Sequence, residues 1–116
     1  MIQLNHKKIA VYKHSVDLVS EIYLLTRNFP KSETFGLSSQ MRRAAVSIIS
    51  NISEGASRTS TIERIRFYVI ARSSLVELDA QVEISLNLDY INSDSTKNLS
   101  DLANQVFALL SSMIKT

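Results

Sequence analysis

Hydrogen-bonding side chains recur every three or four residues between positions 37 and 55 of the sequence. In a helix this spacing places them on one face, where amide, hydroxyl, carboxylate and guanidinium groups can form a continuous network. Such a network binds and orients a partner, and the set includes no activated nucleophile. We call this set the polar ladder; its members are Gln40, Arg43, Ser47, Asn51 and Glu54. Two hypotheses remain open for it: a subunit interface in which the network fixes the register, and a ligand-binding surface.

Arginine is concentrated in the same region of the chain. Six of the seven arginines fall between positions 42 and 72. Guanidinium groups gathered on one surface are typical of proteins that contact phosphates. The candidate nucleic-acid contacts are Arg42, Arg58, Arg64, Arg66 and Arg72. In the alternative hypothesis the arginines form ion pairs within the subunit or between subunits.

The charge of the chain is polarised along its length. Residues 1–76 hold 11 Lys and Arg against 5 acids, whereas residues 77–116 hold 2 against 6, and the formal net charge is +2. The acids Glu77, Asp79 and Glu83 follow the last of the clustered arginines. We expect these carboxylates to form a solvated or arginine-paired face.

Glu54 stands in the last turn of a predicted helix, where the negative end of the helix dipole disfavours a carboxylate. A nearby cation would offset this effect. The nearest cations along the chain are Arg58, Arg64 and Arg66. We therefore expect an arginine-clamped corner between the second and third helices.

Residue patterns that support catalysis or metal binding are missing from the sequence. There is no cysteine, and the two histidines, His6 and His14, are eight residues apart, which is not the spacing of a helical metal pair. No glutamate begins the Glu-x-x-His pattern of di-metal bundles, and there is no phosphate-binding Gly-rich loop. We predict a protein that is not an enzyme and that uses no metal or cofactor.

Apolar periodicity predicts a single domain over residues 1–116, with helices at about 8–28, 37–55, 60–88 and 93–115. Pro30 ends the first helix, Ser38 is a plausible N-cap of the second, and Gly55 suits a left-handed position just beyond its end. Ser60 and Glu63 have the spacing of a capping box for the third helix. Asn92 or Ser93 would cap the fourth.

The second and third helices differ in how widely their apolar residues are spread. The second has one apolar stripe, made of Leu37, Met41, Ala44, Ala45, Ile48 and Ile52. The third is apolar on more than one side, which in a chain with three other helices indicates a second surface buried by another subunit. Short links between the helices predict an all-α, up-down-up-down four-helix bundle that forms an oligomer.

The sequence predicts a cytoplasmic protein without membrane contact. No apolar run reaches the roughly 20 residues that span a bilayer. The first residues lack the apolar core and small-residue cleavage site of a secretion signal.

Longer motifs carry a resemblance to a known family. These are Phe29-Pro30-x-x-Glu33-x-Phe35-Gly36-Leu37, Gln40-x-Arg42-Arg43-Ala44-Ala45 and Asn51-Ile52-x-Glu54-Gly55, followed by Arg66-Phe67 and Glu77-Leu78. Over about residues 8–90 the chain closely resembles the four-helix-bundle proteins encoded within intervening sequences of bacterial 23S ribosomal RNA genes. It is also similar to the accessory proteins of diversity-generating retroelements, which assist a reverse transcriptase.

The resemblance implies a four-helix protomer in a barrel-like homopentamer. It further implies a basic surface that binds RNA or DNA, no catalysis, and a reverse transcriptase or another protein as a partner.

Overall fold

The computed structural model describes residues 1–115. All regular secondary structure in these residues is helical. The helices are α1 (Ala10–Thr26), α2 (Leu37–Ala56), α3 (Thr61–Asn87) and α4 (Lys97–Ile114). Single 3₁₀ turns occupy Asn5–Lys8, Lys31–Glu33 and Asp94–Thr96, and no strand occurs in the described residues. The four predicted helices and the all-α class are confirmed, with helix ends displaced by at most four residues. The end of α3 is helical although its apolar residues alternate there.

The helices pack in the cyclic order α1, α2, α3, α4. Helix α1 contacts α2 and α4, and α3 contacts α2 and α4, with the α2–α3 contact the most extensive and the α3–α4 contact the least. The short links make neighbouring helices antiparallel. The cyclic order places the pair α1 and α2 on the opposite side of the bundle from the pair α3 and α4.

The core consists of the apolar stripes of all four helices. From α2 it contains Met41, Ala44, Ala45, Ile48 and Ile52, while Leu37 packs against its edge. The predicted α2 stripe is therefore confirmed. The other helices contribute Val11, Leu18 and Ile22 from α1, Tyr68, Ala71, Leu75 and Leu78 from α3, and Leu99, Leu102, Val106 and Leu110 from α4.

The prediction that Gly55 ends α2 in a left-handed conformation is wrong. Gly55 lies inside the helix, which continues to Ala56, and no glycine has a positive φ. It is a glycine because α3 crosses at that point: an added Cβ would lie 2.7 Å from Cε1 of Tyr68 and 3.1 Å from the Arg64 carbonyl oxygen. Close helix packing, and not chain reversal, requires the glycine.

The predicted caps have mixed outcomes. Ser60 is the N-cap of α3, and its hydroxyl accepts from the Glu63 backbone N–H at 3.4 Å, as predicted. Ser38 does not cap α2, because Gly36 holds the N-cap position and Ser38 is buried one residue inside the helix. The α4 N-cap is Thr96. Asn92 accepts instead from the Ser95 N–H at 2.9 Å, so it stabilises the preceding 3₁₀ turn.

Helix α3 carries a second apolar face that its own subunit leaves uncovered. Ile62 is 82% exposed and Val76 is 56% exposed, and Val69 lies between them at seven-residue spacing and is also exposed. The α3 side chains that fill the core project from the opposite side of the helix. The apolar surface expected from the sequence is present, and the oligomer that would cover it remains a prediction.

Candidate nucleic-acid interface

A cleft lined by cations lies where the end of α1 meets the start of α2. Its volume is about 730 Å³. Four cationic side chains line it, and the lining contains neither Asp nor Glu. We call it the basic cleft; its cations are Arg27, Lys31, Arg42 and Arg43.

Arg42 is fixed within the basic cleft by two contacts to α1. Its Nε donates to the Thr26 Oγ1 at 2.9 Å, and its guanidinium carbon lies 4.5 Å from the centre of the Tyr23 ring. Thr26 in turn donates to the Ile22 carbonyl at 2.7 Å, which orients its oxygen lone pairs toward Arg42. Arg42 is therefore held in place, while Arg27 and Arg43 extend into solvent.

The connector between α1 and α2 is held by Glu33. Its Oε1 accepts from the Leu37 N–H at 3.1 Å, and its Oε2 accepts from the Tyr90 hydroxyl at 2.9 Å. The Leu37 and Tyr90 hydrogen bonds keep the pKa of Glu33 below its ordinary value, and the bond to the carboxylate raises the pKa of Tyr90. The Tyr90 ring also contacts Phe29 at 5.2 Å between centroids. Lys31 therefore lies in a turn that the hydrogen bonds of Glu33 hold in place.

The polar ladder is divided between a helix contact and open surface. Ser47 and Ser74 join α2 to α3 through their hydroxyl oxygens at 2.9 Å. The Asn51 amide donates to both the carbonyl and the hydroxyl of Ser47, at 2.8 and 3.1 Å. Gln40 and Arg43 are exposed. The centre of the ladder therefore sets the contact between α2 and α3 within one subunit, and its ends remain available to a partner.

Glu54 and Arg58 form the predicted corner. Their side chains make an ion pair at 3.1 Å, and the Arg58 guanidinium lies 5.0 Å from the Phe67 ring centre. Arg64 donates to the Arg58 carbonyl at 3.3 Å, while Arg66 is exposed on α3. The corner is confirmed with Arg58 as the direct partner of Glu54.

Arg72 occupies a different place from the other candidate arginines. It donates to the Ser111 hydroxyl at 3.2 Å and lies 5.9 Å from the Phe107 ring centre, so it links α3 to α4. Arg42 lies near the start of α2 and Arg58 lies two residues beyond its end. At about 1.5 Å per residue, the helix between them is about 21 Å long. The five predicted arginines therefore do not form one continuous surface.

Sequence reasoning missed Arg27 and Lys31, which complete the basic cleft. A signal for them existed: they flank Pro30, where the chain turns back, and a helical hairpin places the end of α1 beside the start of α2. The density of arginines along the chain pointed instead to the cluster at positions 42–72, because it does not reveal cations that are brought together only by the turn.

Within residues 1–115, no arginine forms an ion pair with a carboxylate of the acidic half. Among residues 1–115, the pair of Glu54 and Arg58 is the only ion pair. Asp79 and Glu83 instead edge a groove of about 410 Å³ between α3 and α4. In the same part of the chain, no group of three or more His, Asp and Glu could hold a metal ion, and no helix is long and apolar enough to cross a membrane.

Comparison with known proteins identifies the family. The family model of the 23S rRNA-intervening sequence proteins matches residues 7–112. The chain belongs to this family. Its motifs from Phe29 to Gly55 are those that build the basic cleft, the α2 stripe and the close approach of α2 to α3.

A solved structure shows the same fold in a relative. It is a protein of unknown function from the S23 ribosomal protein family of Bacteroides thetaiotaomicron, with 25% sequence identity and a TM-score of 0.81. The alignment covers 92% of this chain and 100% of the other. No functionally curated protein matches significantly in sequence.

Proposed function

We propose that this family member is a non-catalytic, cytoplasmic oligomer that associates with RNA or DNA through the basic cleft. The observation that carries the proposal is four cations lining one cleft without a carboxylate among them. Unpaired cations on a concave surface raise the local concentration of a polyanion and release its counterions on binding.

The cleft chemistry favours contacts to the phosphate backbone. Arg42 covers one face of the Tyr23 ring, and Phe29 is buried, so the cleft offers mainly cations and little aromatic surface. Ser38 and Ser39 add hydroxyl and backbone groups to the lining. Binding should therefore tolerate many sequences and weaken steeply with salt.

The family name supports RNA as the first ligand to test, since its members are named for intervening sequences of 23S rRNA. The same resemblance makes a reverse transcriptase or another protein a proposed partner of the assembled oligomer.

A second candidate is a purely structural or protein-binding oligomer. The uncovered apolar face of α3, which includes Ile62, Val69 and Val76, favours it, because monomers rarely leave such rows exposed. A homopentamer is the assembly that the family resemblance proposes. In this second candidate the exposed cations and acids would meet between subunits.

Titrating structured RNA and duplex DNA at several salt concentrations tests the main proposal. The slope of log K against log salt is about −0.9 per phosphate contact on duplex DNA. Replacing Arg27 and Arg43 together by Ala should flatten it by nearly two units. Both side chains are exposed, and Arg42 is left in place because it also holds α1 to α2.

The matched control is the double variant Lys97→Ala/Lys115→Ala, which removes the same charge from exposed positions on and just after α4. It should leave the slope almost unchanged. The Arg58→Ala/Arg64→Ala variant tests the corner arginines predicted from the sequence in the same assay. Wild-type protein that binds neither ligand at low salt would leave the structural oligomer as the function.

A further inference from the structure

Phe35 is a large apolar side chain with almost no contact to its own subunit, at 96% exposure. It lies in the connector that Glu33 holds through the Leu37 N–H and the Tyr90 hydroxyl. The connector is thus fixed, and it presents Phe35 to solvent. Burying such a ring removes about 150–250 Å² from water, which makes it a natural anchor for a contact between molecules.

An apolar groove lies between α3 and α4, the least closely packed neighbours in the bundle. Its volume of about 410 Å³ is enough to admit an aromatic side chain. The apolar side chains that line it include Leu75, Val82, Leu86 and Ala103. Phe107, whose ring centre lies 5.9 Å from the Arg72 guanidinium carbon, lines the end of the groove that is farthest from the link between α3 and α4.

Phe35 and the groove are at the same end of the bundle and on opposite sides of it. The bond between Tyr90 and Glu33 ties the Phe35 connector to the link between α3 and α4. The groove begins at that link, with Leu86 near the end of α3 and Thr96 at the start of α4. A second copy placed beside the first, without a shift along the bundle axis, therefore brings its Phe35 to this groove. Such a head-to-tail contact closes into a ring when the rotation between copies allows it.

The charges of the two surfaces are complementary. Lys31 is four residues before Phe35, in the same fixed connector, and it is exposed. Asp79 and Glu83 edge the groove and have no cationic partner in the described part of their own subunit. A polyanion would be repelled by these carboxylates, so nucleic acid does not suit the groove, whereas the connector of a second copy supplies both the ring and the cation.

We propose that Phe35 of one copy inserts into the α3–α4 groove of the next, with Lys31 beside Asp79 and Glu83. This contact rests on the proposed oligomer and names the surfaces that form it. It also gives Asp79 and Glu83 a cation from the basic half of the neighbouring subunit, and it leaves Arg27, Arg42 and Arg43 in the basic cleft.

Mass measurement by light scattering on Phe35→Ala tests the contact. Wild-type protein should be several times 13.0 kDa, and the variant should fall to about 13 kDa at micromolar concentration with an unchanged far-ultraviolet circular dichroism spectrum. The matched control is Leu24→Ala, which trims another exposed apolar side chain, on α1, that lines neither the groove nor the cleft. It should keep the wild-type mass.

A second variant blocks the groove from the other side. Ser100 is exposed and lines the groove, so Ser100→Trp should also give monomers. Mixing the two variants restores one contact per pair, because one retains its groove and the other its Phe35. The mixture should contain a species of about 26 kDa, twice the mass of the chain, that neither variant forms alone.

The outcomes separate this contact from the oligomer on which it rests. Monomeric wild-type protein would overturn both. Assembled wild-type protein with an equally large Phe35→Ala variant would overturn only the contact. If that variant kept its mass and lost affinity for single-stranded RNA, Phe35 would be a base-stacking residue, and the proposed contact would again be overturned.

Discussion

Gly55 shows how a single residue sets the distance between two helices. Its backbone is helical, so alanine would ordinarily stabilise this position by up to about 1 kcal/mol. Here the added methyl group would meet the Tyr68 ring at 2.7 Å and the Arg64 carbonyl at 3.1 Å. Neither neighbour can move freely, since Tyr68 is buried and the carbonyl belongs to α3.

We predict that Gly55→Ala lowers the free energy of unfolding by about 1–2 kcal/mol, because overpacking outweighs the gain in helix propensity. Urea denaturation measures the effect. Ser50→Ala, at an exposed position of the same helix, is the control and should be neutral or slightly stabilising. An equal or higher stability for Gly55→Ala would show that α2 and α3 do not approach as closely as described.

Asn51 and Glu54 are neighbours on the polar ladder whose replacement should have different effects. Asn51 is half-buried and donates twice to Ser47, which in turn contacts Ser74 on α3. We predict that Asn51→Ala costs about 1–2 kcal/mol, because the Ser47 groups lose their donor. Glu54 is exposed and pairs with Arg58 at the surface, so Glu54→Ala should change stability by less than about 0.5 kcal/mol.

Thermal and urea unfolding of both variants, with Gln40→Ala as the exposed ladder control, provide the comparison. Equal losses for Asn51→Ala and Glu54→Ala would mean that a partner covers the whole ladder in solution. That result would favour the interface hypothesis for its outer members.

At the scale of elements, the connector between α1 and α2 depends on a hydrogen bond from a residue 57 positions further along the chain. Tyr90, just after α3, donates to Glu33 in the connector. The pKa of Glu33 is lowered from 4.5, so its contribution to stability is complete above pH 4.5 and is lost as the pH falls through the folded-state value. The pKa of Tyr90 is raised from 10.0, so its contribution is complete below pH 10.0 and is lost as the pH rises through the raised value.

We predict that Tyr90→Phe lowers the melting temperature by a constant amount between about pH 5 and 9, and by less in stronger acid, where wild-type protein loses the same interaction. Melting curves across this range test the prediction. Tyr12→Phe, at another half-buried tyrosine, is the control and should show no such pH dependence in its difference from wild type. A difference for Tyr90→Phe that stayed the same however far the pH fell below 4.5 would contradict the role of the Glu33 carboxylate.

At the scale of the whole molecule, the bundle has a cleft lined by cations, a groove edged by carboxylates and an uncovered apolar face on α3. A monomer would leave Ile62, Val76 and Phe35 in water. We predict a stable oligomer at micromolar concentration, with five copies of the 13.0 kDa chain as the expected number, about 65 kDa. Sedimentation and light scattering over a range of concentrations measure it, and a species that stays at 13.0 kDa would rule out the assembly.

Local patterns were sufficient for much of the fold. Pro30, the Ser60 cap and the three-and-four spacing of apolar residues located the helices, because these features act over a few residues. The same local logic failed at Gly55, where the reason for glycine is a side chain on another helix. It failed for the same reason at the basic cleft, where Arg27 and Arg43 meet only because the chain turns back between them.

The sequence by itself determined that this protein is an all-helical bundle with its arginines concentrated between positions 42 and 72 and with a third helix that is apolar on more than one side. The tertiary structure decided which of those charges share a surface. It placed Arg42 in the cleft, Arg58 in an ion pair and Arg72 across α3 and α4, although all three were equivalent as members of one cluster. The physical reason is that helix formation depends on neighbours along the chain, whereas the surroundings of a charge depend on distances between helices, which packing alone sets.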